Sequence, residues 1–291
     1  MNAIDYVNIW YHILRRKPIG FSIDLTHKCN LSCKTCYMKW YQHKPEISTE
    51  QWEKILSSFP QSYRYYGAWT GGEPLLRAES IERLIHLFKW NWVATNGTIP
   101  LPATWRNVSF LVSIDGNQEI HNRQRGQWEE VVKNVRPDCF IIYDITQINR
   151  EEKVLRETVE FWRDRCRGII FGFYTPTFND TSGLLLSPQE RHDTVETIKK
   201  LKHDHPYFVV NSIKQLENCC TTPWSRSCPA GNCIVGLTAQ GEFKTPCVMG
   251  PEVDCSKCGC AVPQFMYLVQ RLDIPAILSS VRILSRPPGN S

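Results

Sequence analysis

The sequence has no run of about 18 uncharged apolar residues, which predicts that no helix spans a membrane. It also lacks the pattern of a signal peptide, because Asp5 and His12 interrupt the only early apolar stretch. No dense block of Lys and Arg is present, so the formal net charge of +5 does not favour a nucleic-acid partner. No Ser/His/Asp set or pair of carboxylates is visible, which fits a reaction that needs little acid–base catalysis.

Cysteine is what the sequence has in abundance, with 13 among 291 residues. Without an export signal we expect a reducing, cytoplasmic environment, in which cysteines act as metal ligands or free thiols rather than as a disulfide frame. Three cysteines lie in one early stretch, Cys139 and Cys166 are isolated, and eight lie between Cys219 and Cys260. This clustering predicts two metal-binding regions.

The length allows one large α/β domain, or a domain of about 200 residues with an appendage. With 42% apolar and 22% charged residues, the composition is typical of a soluble globular protein. We divide the chain into an N-terminal amphipathic helix (1–18), a core (19–215), and a Cys-rich extension with a tail (216–291).

The pattern of residues 2–16 predicts a short amphipathic helix. Ile4, Val7, Tyr11 and Leu14 recur at helical spacing, and the basic run 15–17 suits the negative end of the helix dipole. We expect this helix to pack across the domain that follows. Peripheral contact with a membrane surface is the alternative.

From residue 20 onward, strand-like and helix-like stretches alternate. The strand-like runs are 21–26, 65–70, 91–95, 108–114, 139–146, 168–174 and 207–212. The helix-like stretches are 48–58, 78–89, 127–135, 150–164 and 188–203. Such alternation predicts βαβ units and a parallel sheet. Because about six units fall short of a full (β/α)8 barrel, the predicted fold is α/β: a partial (β/α)6 TIM-like barrel with a small Cys-rich C-terminal extension.

Cys29, Cys33 and Cys36 directly follow the first predicted strand, at the end of the barrel where active sites lie. Three thiolates in eight residues can chelate one soft metal centre, because the loop is too short for them to point apart. A zinc knuckle or an iron–sulfur cube usually has four ligands, and a cube held by three keeps one iron open to a small molecule. An incidental cysteine cluster or a zinc knuckle is the alternative.

The spacing Cys-x-x-x-Cys-x-x-Cys, followed by the aromatic Tyr37, resembles that of the radical S-adenosylmethionine (SAM) enzymes. The resemblance implies a 4Fe–4S cluster on these three cysteines, with SAM bound at its open iron.

Loops after the next two predicted strands extend this resemblance. Gly71 and Gly72 allow the backbone to approach a ligand closely, and the resemblance implies that the Gly-Gly-Glu motif binds the amino group of SAM through Glu73. Asn96, in the sequence Thr-Asn-Gly, resembles a turn common in the superfamily, although Asn-Gly is also an ordinary turn.

After the fourth predicted strand, the sequences Ser-Ile-Asp-Gly and His-Asn-Arg-Gln-Arg-Gly resemble a further superfamily region. The resemblance implies that Ser113 and Arg125 contact the ribose and the carboxylate of SAM, and that Asp115 orients the turn. An arginine suits a carboxylate because its fork binds bidentately. Asn122 departs from the pattern, in which Asp is usual. A solvated loop arginine is the alternative for Arg125.

After residue 212 the periodic pattern stops and cysteines dominate. Residues 233–244 are predicted to form a hairpin around a Gly turn, and this unit with a later Cys-x-x-Cys resembles the SPASM/twitch extension of radical SAM enzymes. The resemblance implies an auxiliary 4Fe–4S cluster, whose predicted ligands are Cys233, Cys247, Cys255 and Cys258, with Cys228 or Cys260 as substitutes. Zinc is the alternative metal, since Cys-x-x-Cys pairs suit it equally.

The resemblance therefore implies an enzyme that reductively cleaves SAM to a 5′-deoxyadenosyl radical, with the electron supplied by a reduced flavodoxin or ferredoxin. The tail suggests a peptide substrate, whereas the basic amphipathic helix and the aromatic content suggest a small molecule or a lipid. The helix before strand one, the sequence Gly-Gly-Glu-Pro-Leu-Leu and the Pro-Trp and Pro-Cys pairs of the tail are loosely similar to the adenosyl transferase of hopanoid biosynthesis. The alternative is a non-catalytic zinc or iron–sulfur scaffold or electron-transfer module, which would not explain the loops at the strand ends.

Overall fold

The structure is a computed structural model that describes residues 1–36, 38 and 45–285. Within these residues, six strands pair with their neighbours in parallel. They are β1 (Gly20–Thr26), β2 (Tyr66–Gly71), β3 (Trp90–Thr95), β4 (Val108–Ser113), β5 (Phe140–Ile145) and β6 (Gly168–Phe173). This sheet confirms the predicted α/β fold with six barrel strands.

Helices connect or cover most of these strands. In the described residues they are α1 (Ala3–Leu14), α2 (Thr49–Ser58), α3 (Ala78–Leu84), α4 (Gln118–Gln124), α5 (Trp128–Asn134), α6 (Glu152–Trp162), α7 (Pro188–Asp204), α8 (Ile213–Thr221), α9 (Pro229–Cys233), α10 (Ala261–Val269) and α11 (Ile274–Ile283). Ser48 and Ser187 begin α2 and α7 with capping boxes. The five helices α4 and α8–α11 were not predicted. None of the helices in the described ranges is both long and apolar enough to cross a membrane.

The predicted C-terminal hairpin is present and extends the barrel sheet. Its strands are β7 (Ile234–Leu237) and β8 (Phe243–Lys244). β7 pairs in parallel with β1, and β8 pairs antiparallel with β7, so the sheet order is β6-β5-β4-β3-β2-β1-β7-β8. The sheet is therefore continuous across residue 215. The division into three segments stays a prediction, and 286–291 of the predicted tail lie outside the described residues.

The predicted strand at 207–212 is wrong as a regular strand. Only an isolated parallel bridge forms there, between Ile169 and Val209. The Asn211 side chain takes the next place in the ladder, because its Oδ1 accepts from the Phe171 N–H (2.8 Å) and its Nδ2 donates to Phe171 O (2.9 Å). Ser212 then caps α8, so the chain leaves the sheet at this point.

The two faces of the barrel strands have different surroundings, because successive side chains point to opposite sides. On β5, Ile141 and Tyr143 pack in the large apolar cluster of the outer face. Ile142 lies on the opposite, concave face, together with Leu111 of β4 and Ile170 of β6. The helices α1, α10 and α11 cover this concave face. We call the space that they enclose the lumen.

The helix α1 packs across the barrel, as predicted. It does not do so through the apolar stripe that the sequence singled out, Ile4, Val7, Tyr11 and Leu14. Ile9 and Ile13 are its buried apolar residues, and both line the lumen. The stripe that the sequence singled out is exposed, from 69% at Ile4 to 47% at Leu14. α1 thus has apolar residues on both faces, and membrane contact through the outer one stays a prediction.

Candidate active site

The loop after β1 carries Cys29, Cys33 and Cys36. Cys33 is buried, and the other two are half-buried. Burial raises the pKa of Cys29 and of Cys33, and neighbouring thiols of the same loop raise both further. The three thiols are therefore within electrostatic reach of one another. Tyr37, the aromatic residue of the motif, lies outside the described residues.

The Gly-Gly-Glu loop after β2 holds the Cys loop through backbone contacts. The Gly72 N–H donates to Thr26 O (2.7 Å), and the Glu73 N–H donates to Lys28 O (2.9 Å). A Cβ at Gly72 would lie 2.2 Å from Lys28 O, and one at Gly71, where φ is +118°, would lie 2.3 Å from Thr26 O. The close approach that requires glycine here is to the Cys loop rather than to a ligand. Binding of SAM by Gly71 and Gly72 stays a prediction.

Glu73 is fully buried, and three donors fix its carboxylate. Oε1 accepts from the Leu75 N–H (3.0 Å) and the Thr95 hydroxyl (2.9 Å), and Oε2 accepts from the Asn96 N–H (2.8 Å). Burial raises the pKa of Glu73, and these donors act against that rise. A carboxylate has about four acceptor sites, so one remains for an ammonium group such as the predicted amino group of SAM.

Asn96, in the turn after β3, connects this carboxylate to the Cys loop. Its Nδ2 donates to Asn30 Oδ1 (2.9 Å) and lies 3.8 Å from Cys29 Sγ. The Leu31 N–H donates to the same sulfur at 3.4 Å. Burial dominates the pKa of Cys29, but both donors act against it. Asn96 therefore supports the thiolate of Cys29, while its predicted contact with SAM stays a prediction.

Arg125 and Asp115 form a buried ion pair beside Cys33. Arg125 Nε lies 2.7 Å from Asp115 Oδ2, and Arg125 Nη1 lies 3.8 Å from Cys33 Sγ. Burial lowers the pKa of Arg125, but the Asp115 carboxylate and the Cys33 thiol more than offset this and raise it. Arg125 is thus not a solvated loop residue. Its contact with the carboxylate of SAM stays a prediction, as does the orienting role of Asp115.

The rest of this region surrounds the ion pair. Ser113 ends β4, half-buried on the lumen face, and its contact with the ribose of SAM stays a prediction. His121 is fully buried and accepts from the Asp115 N–H at Nδ1 (3.4 Å). Burial lowers the pKa of His121 to about 4. Asn122 Oδ1 accepts from the Trp128 N–H (3.1 Å), so the departure from Asp preserves a structural hydrogen bond.

The surroundings of the Cys loop fit a thiolate-bound cluster. N–H donors and a guanidinium directed at sulfur stabilise thiolates and tune clusters, and Cys29 and Cys33 have such partners. Among the described residues, no group of three or more Cys, His, Asp or Glu side chains is arranged to hold a single metal ion. The ligands of a four-iron cube bind different irons. The fit therefore rests on the donor chemistry of the loop.

Two acidic residues of the lumen were missed by the sequence analysis. Asp144 on β5 lies on the same face as Ile142 and is exposed to the open end of the lumen; the surrounding protein, together with the nearby Asp115 carboxylate, raises its pKa to about 6. Asp24 on β1 forms an ion pair with Lys244 of β8 at 2.7 Å, with both side chains only 2% exposed. The sequence feature that could have identified them is a single aspartate within each otherwise largely apolar strand.

Five C-terminal cysteines surround one small cavity. They are Cys228, Cys247, Cys255, Cys258 and Cys260. The region lies against the end of β6, where the Phe173 N–H donates to Gly259 O (2.9 Å). Burial raises the pKa of Cys228 to about 11, and the backbone N–H groups of Gly231 and Ala230 act against that rise.

The predicted ligand Cys233 is not among the cysteines that line this cavity. It is fully buried in an apolar cluster with Ile9, Ile13 and Ile234. The structure brings together the other three predicted ligands, and the substitutes Cys228 and Cys260 lie beside them. Burial raises the pKa of Cys233 to about 12, which disfavours a thiolate there.

No protein-family model matches the chain. In sequence it is similar to the sporulation killing factor maturation protein SkfB of Bacillus subtilis, with 31% identity over 122 residues that cover 38% of this chain and 29% of SkfB. It is also similar to the mycofactocin maturase MftC of Mycolicibacterium smegmatis, with 30% identity over 122 residues that cover 38% of this chain and 31% of MftC. The chain thus spans about three tenths of the length of these relatives.

In structure, the chain is similar to SuiB of Streptococcus suis bound to its precursor peptide SuiA. The TM-score is 0.65 at 14% identity, over 80% of this chain and 60% of SuiB. It is also similar to anSMEcpe with bound AdoMet and a peptide, with a TM-score of 0.58 at 16% identity, over 88% of this chain and 83% of that one. At such identities the likeness shows the fold alone.

The motifs, the fold and these relatives agree on one class, the radical SAM enzymes, and they confirm the predicted resemblance. SuiB and anSMEcpe have been solved with SAM bound. Within the class, the chain resembles maturases of peptides in particular.

Proposed function

We propose that this protein cleaves SAM reductively at a cluster held by Cys29, Cys33 and Cys36 and uses the product to modify a substrate. One observation carries the proposal: of the three thiols on the loop after β1, Cys29 meets a donor from the turn after β3 and Cys33 meets a cation from the C-terminal end of α4. The loop after β2 fixes the position of the Cys loop. Carboxyl ends of barrel strands are where such catalytic sites assemble.

The residues around the loop have separable roles in this proposal. The three cysteines hold the 4Fe–4S cluster, which when bound would pass one electron to SAM and release methionine and a 5′-deoxyadenosyl radical. Glu73 offers its remaining acceptor site to the amino group of SAM. Arg125 sets positive charge beside Cys33, where it favours the thiolate. The apolar lumen below excludes water from the radical.

The C-terminal cysteines would hold the auxiliary 4Fe–4S cluster. We assign Cys228, Cys247, Cys255 and Cys258, because all four line one cavity and Cys228 has two backbone donors. Cys260 lines the same cavity with one backbone donor, from Val262. Zinc is the alternative metal for this site.

For the substrate, the relatives support a peptide, since SuiB has been solved with its precursor peptide. A small molecule or a lipid is the second candidate, and the apolar lining of the lumen favours it. A reduced flavodoxin or ferredoxin would deliver the electron, and a cytoplasmic location would suit that donor. These parts of the proposal rest on the predictions from the sequence and on the relatives.

The test is anaerobic reconstitution of the wild type, of a Cys29→Ala/Cys33→Ala/Cys36→Ala variant, and of Cys166→Ala as a matched control. Cys166 is buried away from both cysteine regions, with its Sγ directed at Trp162 O. Iron is counted, and 5′-deoxyadenosine is measured after addition of SAM and dithionite.

Two four-iron clusters predict about eight irons in the wild type and the control, and about four in the triple variant. Nucleoside should form in the wild type and the control only. A fall from about four irons to nearly none would leave the SAM site in place and assign zinc, or no metal, to the tail. Bound zinc without 5′-deoxyadenosine would overturn the proposal and indicate the non-catalytic scaffold.

A further inference from the structure

A cavity of about 270 Å³ occupies the lumen. It has 28 lining residues in the described chain, and none of them is charged. Strand residues such as Ala68, Ala94 and Ile142 form one wall, and Ile9 of α1 and Phe265 of α10 belong to the opposite one. An apolar cavity of about 150 Å³ already suffices to bind benzene. The lumen is therefore large enough and dry enough to hold an apolar ligand.

The cavity extends to directly beneath the candidate active site. Thr70 and Ala94 line it near the carboxyl ends of β2 and β3. Ala94 lies two residues before Asn96, which contacts Cys29, and Thr70 lies three residues before Glu73, whose N–H donates to Lys28 O. Val248 and Met249, which follow Cys247, line the cavity as well. An occupant would thus lie between the two cysteine regions, with one end under the site at which SAM is cleaved.

The charged side chains of the lumen lie at one end of it. Asp24 with its partner Lys244, and Asp144, are in the last three residues of their strands or in β8, and Ser113 ends β4. The strand residues that precede them on the same face are Ser22, Leu111 and Ile142, which line the cavity and carry no charge. The lumen therefore has an uncharged, mainly apolar lower part and a charged upper layer, which is the distribution that suits an amphiphile.

We propose that this cavity binds the hydrocarbon chain of an amphiphilic substrate, an acyl or isoprenoid chain, and presents the carbon next to its polar end to the active site. The inference rests on the proposed function, since it names the substrate class for that site. It also predicts the orientation of the substrate: chain toward α1, polar end toward Asp144 and Ser113.

A peptide fits the cavity less well for a physical reason. Each peptide residue brings a backbone donor and an acceptor that need partners when buried, and an unpaired one is costly. The lining offers hydroxyls and two indoles but no carboxylate, amide or charged side chain, and the hydroxyls of Thr70, Tyr6 and Ser280 already have acceptors within the protein. A hydrocarbon chain makes no such demand.

The test is the binding of cis-parinaric acid, a fluorescent polyene fatty acid, to the purified full chain without SAM or reductant. Ala94→Leu and Ala68→Phe place additional carbon atoms in the cavity, and Ala94→Val is a milder version in case the larger side chains prevent folding. The matched control is Ile4→Ser, which alters the exposed apolar stripe of α1 (Ile4 is 69% exposed) and leaves the cavity unchanged.

We expect saturable binding by the wild type and by Ile4→Ser, and binding weaker by roughly tenfold or more, about 1.4 kcal/mol, in the filled variants. Palmitate should displace the probe, whereas acetyl-Leu-Leu-Leu-amide should not. A diazirine fatty acid, photolysed on the wild type, should label the lining residues Ile9, Ile13 or Phe265, which tests the site without any variant.

The proposal is overturned if the wild type does not bind the probe, or if the filled variants bind it as the wild type does. Loss of binding in Ile4→Ser would place the ligand on the outer surface, and displacement by the tripeptide as effective as by palmitate would indicate a peptide site. Because binding is measured without SAM, it fails independently of SAM cleavage. A chain that forms 5′-deoxyadenosine but does not bind the probe retains its proposed function and loses this inference alone.

Discussion

The two cysteine regions are built in opposite ways. Cys29, Cys33 and Cys36 lie within eight consecutive residues of one loop, and the side chains that support Cys29 and Cys33 come from other segments of the chain. In the C-terminal region the cysteines themselves come from separate segments: the start of α9, the loop after β8, and the stretch 255–260 before α10.

Because of this difference, sequence spacing constrains the positions of one predicted ligand set more tightly than those of the other. On a short loop, spacing along the chain limits the distance between thiols, so three cysteines in eight residues must be neighbours. When ligands come from distant segments, their meeting depends on how helices and hairpins pack. Cys233 precedes the hairpin in sequence, as predicted, but α9 places it in the apolar cluster under α1.

The largest expected effect comes from the contact that joins the C-terminal hairpin to the barrel. Lys244→Ala would remove the cation that pairs with the buried Asp24 carboxylate, and breaking such a pair costs roughly 3–5 kcal/mol. Urea unfolding monitored by circular dichroism measures this loss. The double variant Asp24→Asn/Lys244→Met removes both charges and should regain part of it. Equal stability of Lys244→Ala and the wild type would show that the two regions are not coupled here.

A smaller effect, confined to the N-terminal region, is expected for Gly72→Ala. The new Cβ would lie 2.2 Å from Lys28 O, so the Cys loop must move. Displacement of a reacting group by about 1 Å can cost roughly a hundredfold in rate, and formation of 5′-deoxyadenosine should fall by that order. Gly183→Ala is the control for backbone strain away from the Cys loop, because its φ is +68° and a Cβ there meets nothing within 4 Å. A fully active Gly72→Ala would contradict the role given to this contact.

The C-terminal region is tested by substituting two cysteines that the sequence and the structure rank in opposite order, Cys228 and Cys233. Cys228→Ser should lose the auxiliary cluster, so iron should fall from about eight to about four per chain. Cys233→Ser should keep all the iron and lose only stability, since it puts a hydroxyl into an apolar cluster. Iron analysis with thermal unfolding separates the two outcomes. The reverse result would restore Cys233 as a ligand.

The same contrast applies to the fold: elements that depend on nearby residues could be predicted from the sequence, and elements that depend on contacts between distant segments could not. The barrel strands and the capping boxes of Ser48 and Ser187 could be predicted, because they depend on nearby residues. The false strand at 207–212 has the right composition, and only the tertiary contact of Asn211 with Phe171 ends the ladder. The missed helix α11 does carry local signals, Asp273 as a cap and Pro at its start.

The buried face of α1 could not be predicted from the sequence for a different reason. Helical periodicity shows that apolar residues share a face, but not which face is covered when both are apolar. The sequence therefore predicted the helix, and the structure was needed to show that Ile9 and Ile13, rather than Ile4 and Val7, face the lumen. The same holds for Asp24, whose partner Lys244 lies on β8, and for Asp144, whose charged neighbours Asp115 and Arg125 lie in the segment after β4.

The smallest expected effect is a pH dependence that acts on the N-terminal region only. Burial lowers the pKa of His121 from 6.5 to about 4 in the folded protein. The folded state therefore binds fewer protons than the unfolded state between these values, and stability falls as pH decreases through this window. Between pH 7 and pH 5 the loss should be roughly 1–2 kcal/mol. Urea unfolding of the apo protein at both pH values measures it.

His121→Gln should reduce this loss, because glutamine does not titrate, although the variant is less stable at pH 7 if the bond from the Asp115 N–H is weakened. Hydrogen exchange at pH 5 adds the spatial test. Since no histidine is among the described residues that line the C-terminal cysteine cavity, exchange should increase first around α4, which carries His121, and not around Cys228. Equal pH dependence in the wild type and His121→Gln would show that another group controls acid stability, and a uniform increase in exchange would show that the two cysteine regions open together.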